Sequence, residues 1–393
     1  MPQQYILFTI LILVPLLSGC ISPTASETIV PHEPTLYVIA TPGDASPTSP
    51  GNPYSNCLSP ALKMNVQRAA HSATLLPDGR VLIAGGFRQE GTSEIPIASA
   101  EIYDPGTQTF TPAGDMNEPR NSHIAILLTN GQVLIAGGWG QNGRTATAEL
   151  FDPETGIFVY TDNMMAPRDG MTATLLEDGN ILIAGGGSAR NTLQITAELY
   201  DPSTGEFVPA GKLNVGRRTH TATLLTDGRV LLVGGNSGRS VLASAEIYDP
   251  ETGEFTMTGD ANAIRHKHSA VLLPNGTVLI VGGSDQNDWS GKYNSAEIYD
   301  PGTGRFTRTA KMSASRFKLM EAALLLPDGN VLVGGGNRVL EIFDTQTMQF
   351  IPGGRLDNDY FYSVATLLKN GTVLITGGYD SNIRPSDKAW IFC

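Results

Sequence analysis

One phrase dominates this chain. Close variants of L-L-x-D/N-G-x-V-L-I-x-G-G occur seven times, with closing glycine pairs ending at Gly86, Gly138, Gly186, Gly235, Gly283, Gly336 and Gly378. Successive pairs are 52, 48, 49, 48, 53 and 42 residues apart. Between them runs a second phrase, A-E-I/L-Y/F-D-P-x-T-G-x-F, as at 100–110, 148–158, 197–207 and 245–255. A unit of this size cannot bury an apolar face alone and must stack on its neighbours, so the repeat overrides any domain count based on length. Composition agrees. Charged residues are only 16% and hydrophobic ones 41%, which excludes a disordered or coiled-coil chain. Glycine (44) and proline (25) supply many tight turns.

Each unit reads as four short strands. In the first unit they are 71–76, 81–84, 100–103 and a fourth beginning at Phe110. Asp78-Gly79 between the first two predicts a two-residue type I′ hairpin, and equivalents recur through Asn370-Gly371. Short strands, tight turns and this period predict an all-β chain: a seven-bladed β-propeller of four-stranded blades.

These residues resemble the kelch repeat: paired glycines after an aliphatic strand, an acidic-aliphatic-aromatic strand, then an aromatic six residues before Met. The resemblance covers residues 57–393. One departure is Phe (Phe110, Phe158, Phe207, Phe255, Phe306, Phe350) where the family's fourth strand usually carries Trp. The resemblance implies a scaffold and leaves the chemistry open.

The N-terminus reads as an address. Residues 6–17 are an apolar run too short to span a bilayer comfortably, followed by Ser18-Gly19-Cys20. Leu17-Ser18-Gly19-Cys20 resembles the lipobox of bacterial lipoproteins, which implies lipidation at Cys20, although the usual basic n-region is missing. Residues 21–53 contain 16 Pro, Ser or Thr and no Lys or Arg, the composition of an extended tether. The expected organisation is a signal peptide over 1–19, a tether over 20–53 and a propeller over 54–393. The expected location is the bacterial cell envelope, at the outer membrane or cell surface.

Alternating strands divide the connections between two faces. First-to-second and third-to-fourth turns are short and uniform. Second-to-third loops vary most, at 87–98, 139–147, 187–196, 236–244, 284–295, 337–338 and 379–388. Variable loops on a rigid frame commonly carry binding. Phe87, Arg88, Trp139, Arg144, Arg190, Arg239, Trp289, Tyr293, Arg338, Tyr379 and Arg384 lie in them, and Trp, Tyr and Arg are the usual interface anchors. About half are expected to pack between loops instead.

Two polar series recur on the same side. Arg68, Arg120, Arg168, Arg217, Arg265 and Arg316 precede the first strands and are expected to pair with Glu101, Glu149, Glu198, Glu246, Glu297 and Glu341. His71, His123, His220 and His268 stand seven residues before the turn, with Glu321 in that place in unit six, and are expected at the channel mouth. They suit either metal binding or hydrogen bonding to the next blade, and recurrence with the repeat favours the second.

Unit seven stops after three strands. Leu58, Met64 and Arg68 match the spacing of Phe110, Met116 and Arg120, so the N-terminal segment is expected to supply the missing strand. That register sets Cys57 opposite Cys393, where intact units have a hairpin, and predicts a disulfide.

The net charge of −12 argues against nucleic acid. No GxSxG, Walker, HExxH or CxxC motif occurs. The expected function is a monomeric, non-enzymatic recognition module for a protein or glycan, with no cofactor, metal or catalytic residue assigned. The alternative is a cofactor-independent sugar epimerase or mutarotase of kelch type, with His and Glu321 as proton carriers. A copper radical oxidase, which resembles the propeller, is less favoured because its cofactor implies a free Cys cross-linked to Tyr.

Overall fold

A computed structural model describes residues 52–60, 62–188 and 192–393. The signal segment, Cys20, the tether through residue 51, and Arg190 lie outside these residues. Seven four-stranded antiparallel sheets carry the described chain. The innermost strands (Ser72–Leu75, Ile124–Leu127, Thr172–Leu175, Thr221–Leu224, Ser269–Leu272, Ala323–Leu325 and Val364–Leu367) touch in order, and the last touches the first. The ring is closed, and the protein is a seven-bladed propeller.

The aliphatic phrase of each repeat has a packing cause. Second strands such as Val81–Ala84 and Val230–Val233 are buried at every position because blades cover both their faces. Their side chains are therefore apolar throughout rather than alternating. Third and fourth strands pack one aromatic on another, as Tyr103 on Phe110 and Phe343 on Phe350, with ring centroids 4.9 Å apart in both pairs.

The hairpin between first and second strands differs from expectation. The Gly79 amide donates to the Leu76 carbonyl (3.0 Å), and the Leu76 amide donates to Arg80 (2.8 Å). Only Gly79 has a positive φ (93°), so this is a three-residue type I turn ending in a glycine bulge, not a type I′ turn. Asp78 caps it by accepting the Arg80 amide (2.9 Å).

The last blade closes as the register requires. Leu62–Arg68 lies antiparallel to Ser386–Phe392, and Leu58 bridges Phe392. Met64 is buried as Met116 is. Cys57 and Cys393 form a disulfide across a Cα separation of 4.9 Å, and the Cys393 amide donates to the Cys57 carbonyl (2.9 Å). A covalent bond stands where the other blades have a turn.

Candidate functional site at the channel mouth

The segment linking each blade to the next builds the site from repeated contacts. All six arginines are buried and ion-paired to the expected glutamates, at 2.6–2.8 Å for Arg68, Arg120, Arg217 and Arg316. Arg168–Glu198 and Arg265–Glu297 complete the set. Each arginine also donates to a carbonyl of the glycine segment, as Arg217 Nη1 does to Gly234 (2.7 Å). Blade seven has Tyr360 and Trp390 in these two places, with ring centroids 5.0 Å apart. An aromatic pair there replaces an ion pair, a swap that a buried site tolerates when both partners change together.

The histidines are structural walls. Nε2 of His71, His123, His220 and His268 shares a hydrogen bond with Thr376, Ser72, Thr172 and Thr221, each in the neighbouring blade. Burial lowers His123 and His220 to about 3 and His71 and His268 well below the usual range, so all four are neutral at pH 7. The first glycine of each pair makes room for them. A Cβ on Gly85 would lie 2.6 Å from the Arg120 carbonyl and 2.8 Å from the His123 ring, and its φ is +62°.

Unit six departs from the expected alignment. Leu319, not Glu321, fills the histidine place, against Gly282. The two extra residues of this unit, Met320 and Glu321, face the axial cavity instead. Water reaches Glu321 from the lumen, but protein surrounds it, and desolvation pushes its carboxyl up to about 7.

Two residues after each arginine position, the chain turns left-handed. Ala70, Ser122, Thr219, Lys267, Lys318 and Tyr362 have φ of 51–59°, and Gly170 shares that conformation. Six of these seven residues donate a backbone hydrogen bond to the preceding member, from Ser122 to Ala70 (3.0 Å) and on to Ala70 itself, which donates to Tyr362 (3.3 Å). Left-handed non-glycine residues cost about 1–3 kcal/mol each and persist where surrounding structure fixes them, as this belt does. Four members are small. Lys267, Lys318 and Tyr362, from the crossings into blades five to seven, are large.

Those crossings bring Phe317, Lys318, Phe361 and Tyr362, none of them singled out in the sequence, against Trp289 and Tyr379 of the loops. Trp289, Phe317 and Phe361 pack edge to face with centroids 4.6–5.5 Å apart. Phe361 and Tyr362 lie 5.7 and 6.0 Å from Tyr379. Lys318 Nζ donates to Tyr379 Oη at 2.5 Å and stands 4.7–6.0 Å from the rings of Trp289, Phe317, Phe361, Tyr362 and Tyr379. Burial lowers its pKa to about 8, with Lys267 adding to the shift. Beside it, Asp288 accepts from Lys267 (2.7 Å) and contacts His266 (3.0 Å). These contacts overcome desolvation and hold Asp288 well below the carboxylate range. The one available signal was the change from small to large residues at the belt positions.

The loop residues separate into two groups. Phe87, Arg144 and Tyr379 are buried, which corrects their reading as surface anchors. Phe87 packs on Tyr379, and Arg144 pairs with Asp169 (2.6 Å) while lying over Trp139. Tyr293 is half-buried beneath Arg265. Arg88, Trp139, Arg239, Trp289, Arg338 and Arg384 are exposed. Trp139 and Trp289 keep 41% and 42% of their surface, which leaves a face free for a partner.

Comparison with known proteins agrees with this architecture. The Kelch motif model matches residues 68–117, 217–260 and 265–313. The chain is a seven-bladed propeller that carries Kelch motifs. One curated relative, the F-box/kelch-repeat protein SKIP30 of Arabidopsis thaliana, is 35% identical over 74 residues. That match spans 19% of this chain and 20% of the relative's length. Among solved structures, a fungal alcohol oxidase in complex with copper aligns with a TM-score of 0.69 and 18% identity, over 85% of this chain and 76% of that one. This last likeness is one of fold. Among the described residues, Cys57 and Cys393 are joined to each other, so neither offers the free thiol that a cysteine-dependent copper radical centre needs. No cluster of three His, Cys, Asp or Glu suited to a metal occurs among the described residues.

Proposed function

We propose that this protein is a non-enzymatic recognition module, tethered to the bacterial envelope through Cys20, whose long-loop face takes a protein or glycan. The observation that carries this reading is the concentration of repeat-breaking side chains on one sector of one face. Seven near-identical units need no Trp289, Phe317, Lys318, Phe361 or Tyr362 to stack, and blades one to four do without equivalents. Trp289 offers flat apolar surface beside Lys292, the combination that anchors interfaces. The opposite face presents mainly the acidic turns, among them Asp78, Asp152, Asp227 and Asp300.

A glycan and secreted-protein binding screen on the full-length protein tests the reading. Retention of a partner that Trp289→Ala releases supports it, and a partner unaffected by that change but lost on altering the D-P-x-T turns contradicts it. Cys20→Ala is expected to free the protein from membrane pellets; unchanged association removes the anchor.

One observation favours a second reading. Glu321, with its carboxyl at about 7, is poised to exchange protons in the axial cavity, as a sugar epimerase or mutarotase requires. The histidines do not share that role, since their Nε2 atoms are held by neighbouring blades. Turnover of a free sugar, lost in Glu321→Gln, would establish this activity.

A further inference from the structure

The glutamates that recur with the repeat are each spent on an arginine, from Glu101 on Arg68 to Glu341 on Arg316. Glu321 is not. It lines the axial cavity of about 90 Å³ beside the left-handed belt and a second cavity of about 170 Å³ between the innermost strands. Among the described residues its carboxylate meets no cation and no hydrogen-bond donor, and desolvation is the one influence that shifts it. Stacking does not require this side chain, because it enters the lumen on the two-residue insertion that unit six alone carries.

The rest of the wall suits a donor with a short apolar body. Ser122 Oγ donates to Asn121 Oδ1 (3.1 Å) and Thr219 Oγ1 to the Arg218 carbonyl (2.7 Å), so both oxygens keep lone pairs for a donor in the cavity. Ile124, Met171 and Val364 supply apolar surface. A hard metal ion takes roughly six or more oxygen ligands in close array, and a softer one wants imidazole or thiolate. The lumen has a single carboxylate, and His71 and His123 spend Nε2 on neighbouring blades. The net charge of −12 favours cations over anions around the protein.

We propose that the axial cavity binds a small primary ammonium ligand, with Glu321 as its counter-ion and the Ser122 and Thr219 hydroxyls as further acceptors. An ammonium carries three donors and no acceptor, the complement of these groups. Its alkyl part rests on the apolar wall. The event is binding alone, with no bond made or broken.

The charge on Glu321 sets the pH dependence. With its carboxyl at about 7, it is about one-tenth ionised at pH 6 and about nine-tenths at pH 8. The other titratable groups of the cavity walls, His71, His123, His220 and Tyr362, are neutral throughout this range. Lys267 and Lys318 donate to Asp288 and Tyr379 in the loop cluster. Lys318, three residues from Glu321 and lowered to about 8, loses charge at the top of the range, so a slope that survives Glu321→Gln would belong to it.

Isothermal titration calorimetry of the full-length protein with ethanolammonium chloride, at pH 6, 7 and 8 and constant ionic strength, tests the site. The expected result is one site per chain, with an association constant about tenfold higher at pH 8 than at pH 6. Proton release, read from buffers of different ionisation enthalpy, should approach about one at pH 6 and fall to about 0.1 at pH 8. Ethylene glycol, of the same shape without the charge, should not bind. Glu321→Gln keeps the shape of the side chain and should abolish binding. Absence of binding at all three pH values overturns the proposal. So do equal affinities at pH 6 and 8, binding or a pH slope that survives Glu321→Gln, and displacement by equimolar potassium. Recognition through Trp289 does not use the lumen, and sugar turnover draws on the Glu321 proton rather than its charge, so either outcome leaves those readings to their own tests.

Discussion

The crossings into blades one to four and those into blades five to seven share one backbone and differ in what they hold at the channel mouth. In the first sector the left-handed belt carries Ala70, Ser122, Gly170 and Thr219, all of which line the axial cavity. In the second the same belt carries Lys267, Lys318 and Tyr362 within a cluster of aromatic rings. Buried Arg–Glu pairs hold both sectors, so the fold does not require the difference. In a repeat protein the recurring residues account for stacking, and the residues that break the repeat are the ones left to account for function.

The largest expected effect bears on the seam, which lies in the second sector. Cys57→Ser together with Cys393→Ser reopens a loop spanning 336 residues, for which the chain-entropy account gives an upper figure of about 6 kcal/mol. Denaturant titration should show it as a lower unfolding midpoint, and an unchanged midpoint would mean strand pairing alone closes the ring. Next, Glu246→Ala strands Arg217 in the first sector and should cost about 3–5 kcal/mol. Partner affinity per folded molecule should stay unchanged; if it falls with stability, the first sector binds as well and the comparison fails.

Trp289→Ala should act the other way round. It is expected to cost about 1–3 kcal/mol of partner affinity with a smaller loss of stability. Equal losses from Trp289→Ala and Trp139→Ala would spread the anchor over both sectors.

The smallest effect is a slope. Glu321 binds its proton up to about pH 7 in the fold but only to about 4.5 when unfolded, so it makes stability fall as pH rises between those values. Glu321→Gln should flatten that slope in urea midpoints measured from pH 4.5 to 7. The four histidines act oppositely: they are neutral in the fold, and their contribution is lost as pH drops below about 6.5, alike in both proteins. Identical slopes would show that lumen water fully solvates the carboxyl.

How far the sequence revealed this molecule follows from the repeat. Register is explicit when one unit recurs, so Leu58, Met64 and Arg68 could be laid on Phe110, Met116 and Arg120, and the cysteine pairing followed. The pairing of Arg217 with Glu246 was legible for the same reason. The insertion in unit six broke that logic: counting back from Asp328 led to Glu321, whereas counting on from Arg316 leads to Leu319. The hairpin turn was misread because Asp-Gly suits both a type I′ turn and the end of a type I turn. The belt was invisible because Ala70, Thr219 and Tyr362 carry no local sign of left-handed backbone, and only Gly170 hints at it. Lys318 and Phe317 come together with Trp289 and Tyr379 through the closed ring, a proximity without a counterpart in sequence spacing.

The most direct test of this account is hydrogen exchange on the protein with a partner bound from the binding screen. Protection confined to residues 285–293, 316–321, 360–363 and 379–385 is the predicted result. Protection centred on the D-P-x-T turns, or spread evenly over all seven loops, would contradict the claim that the repeat-breaking sector is the functional one.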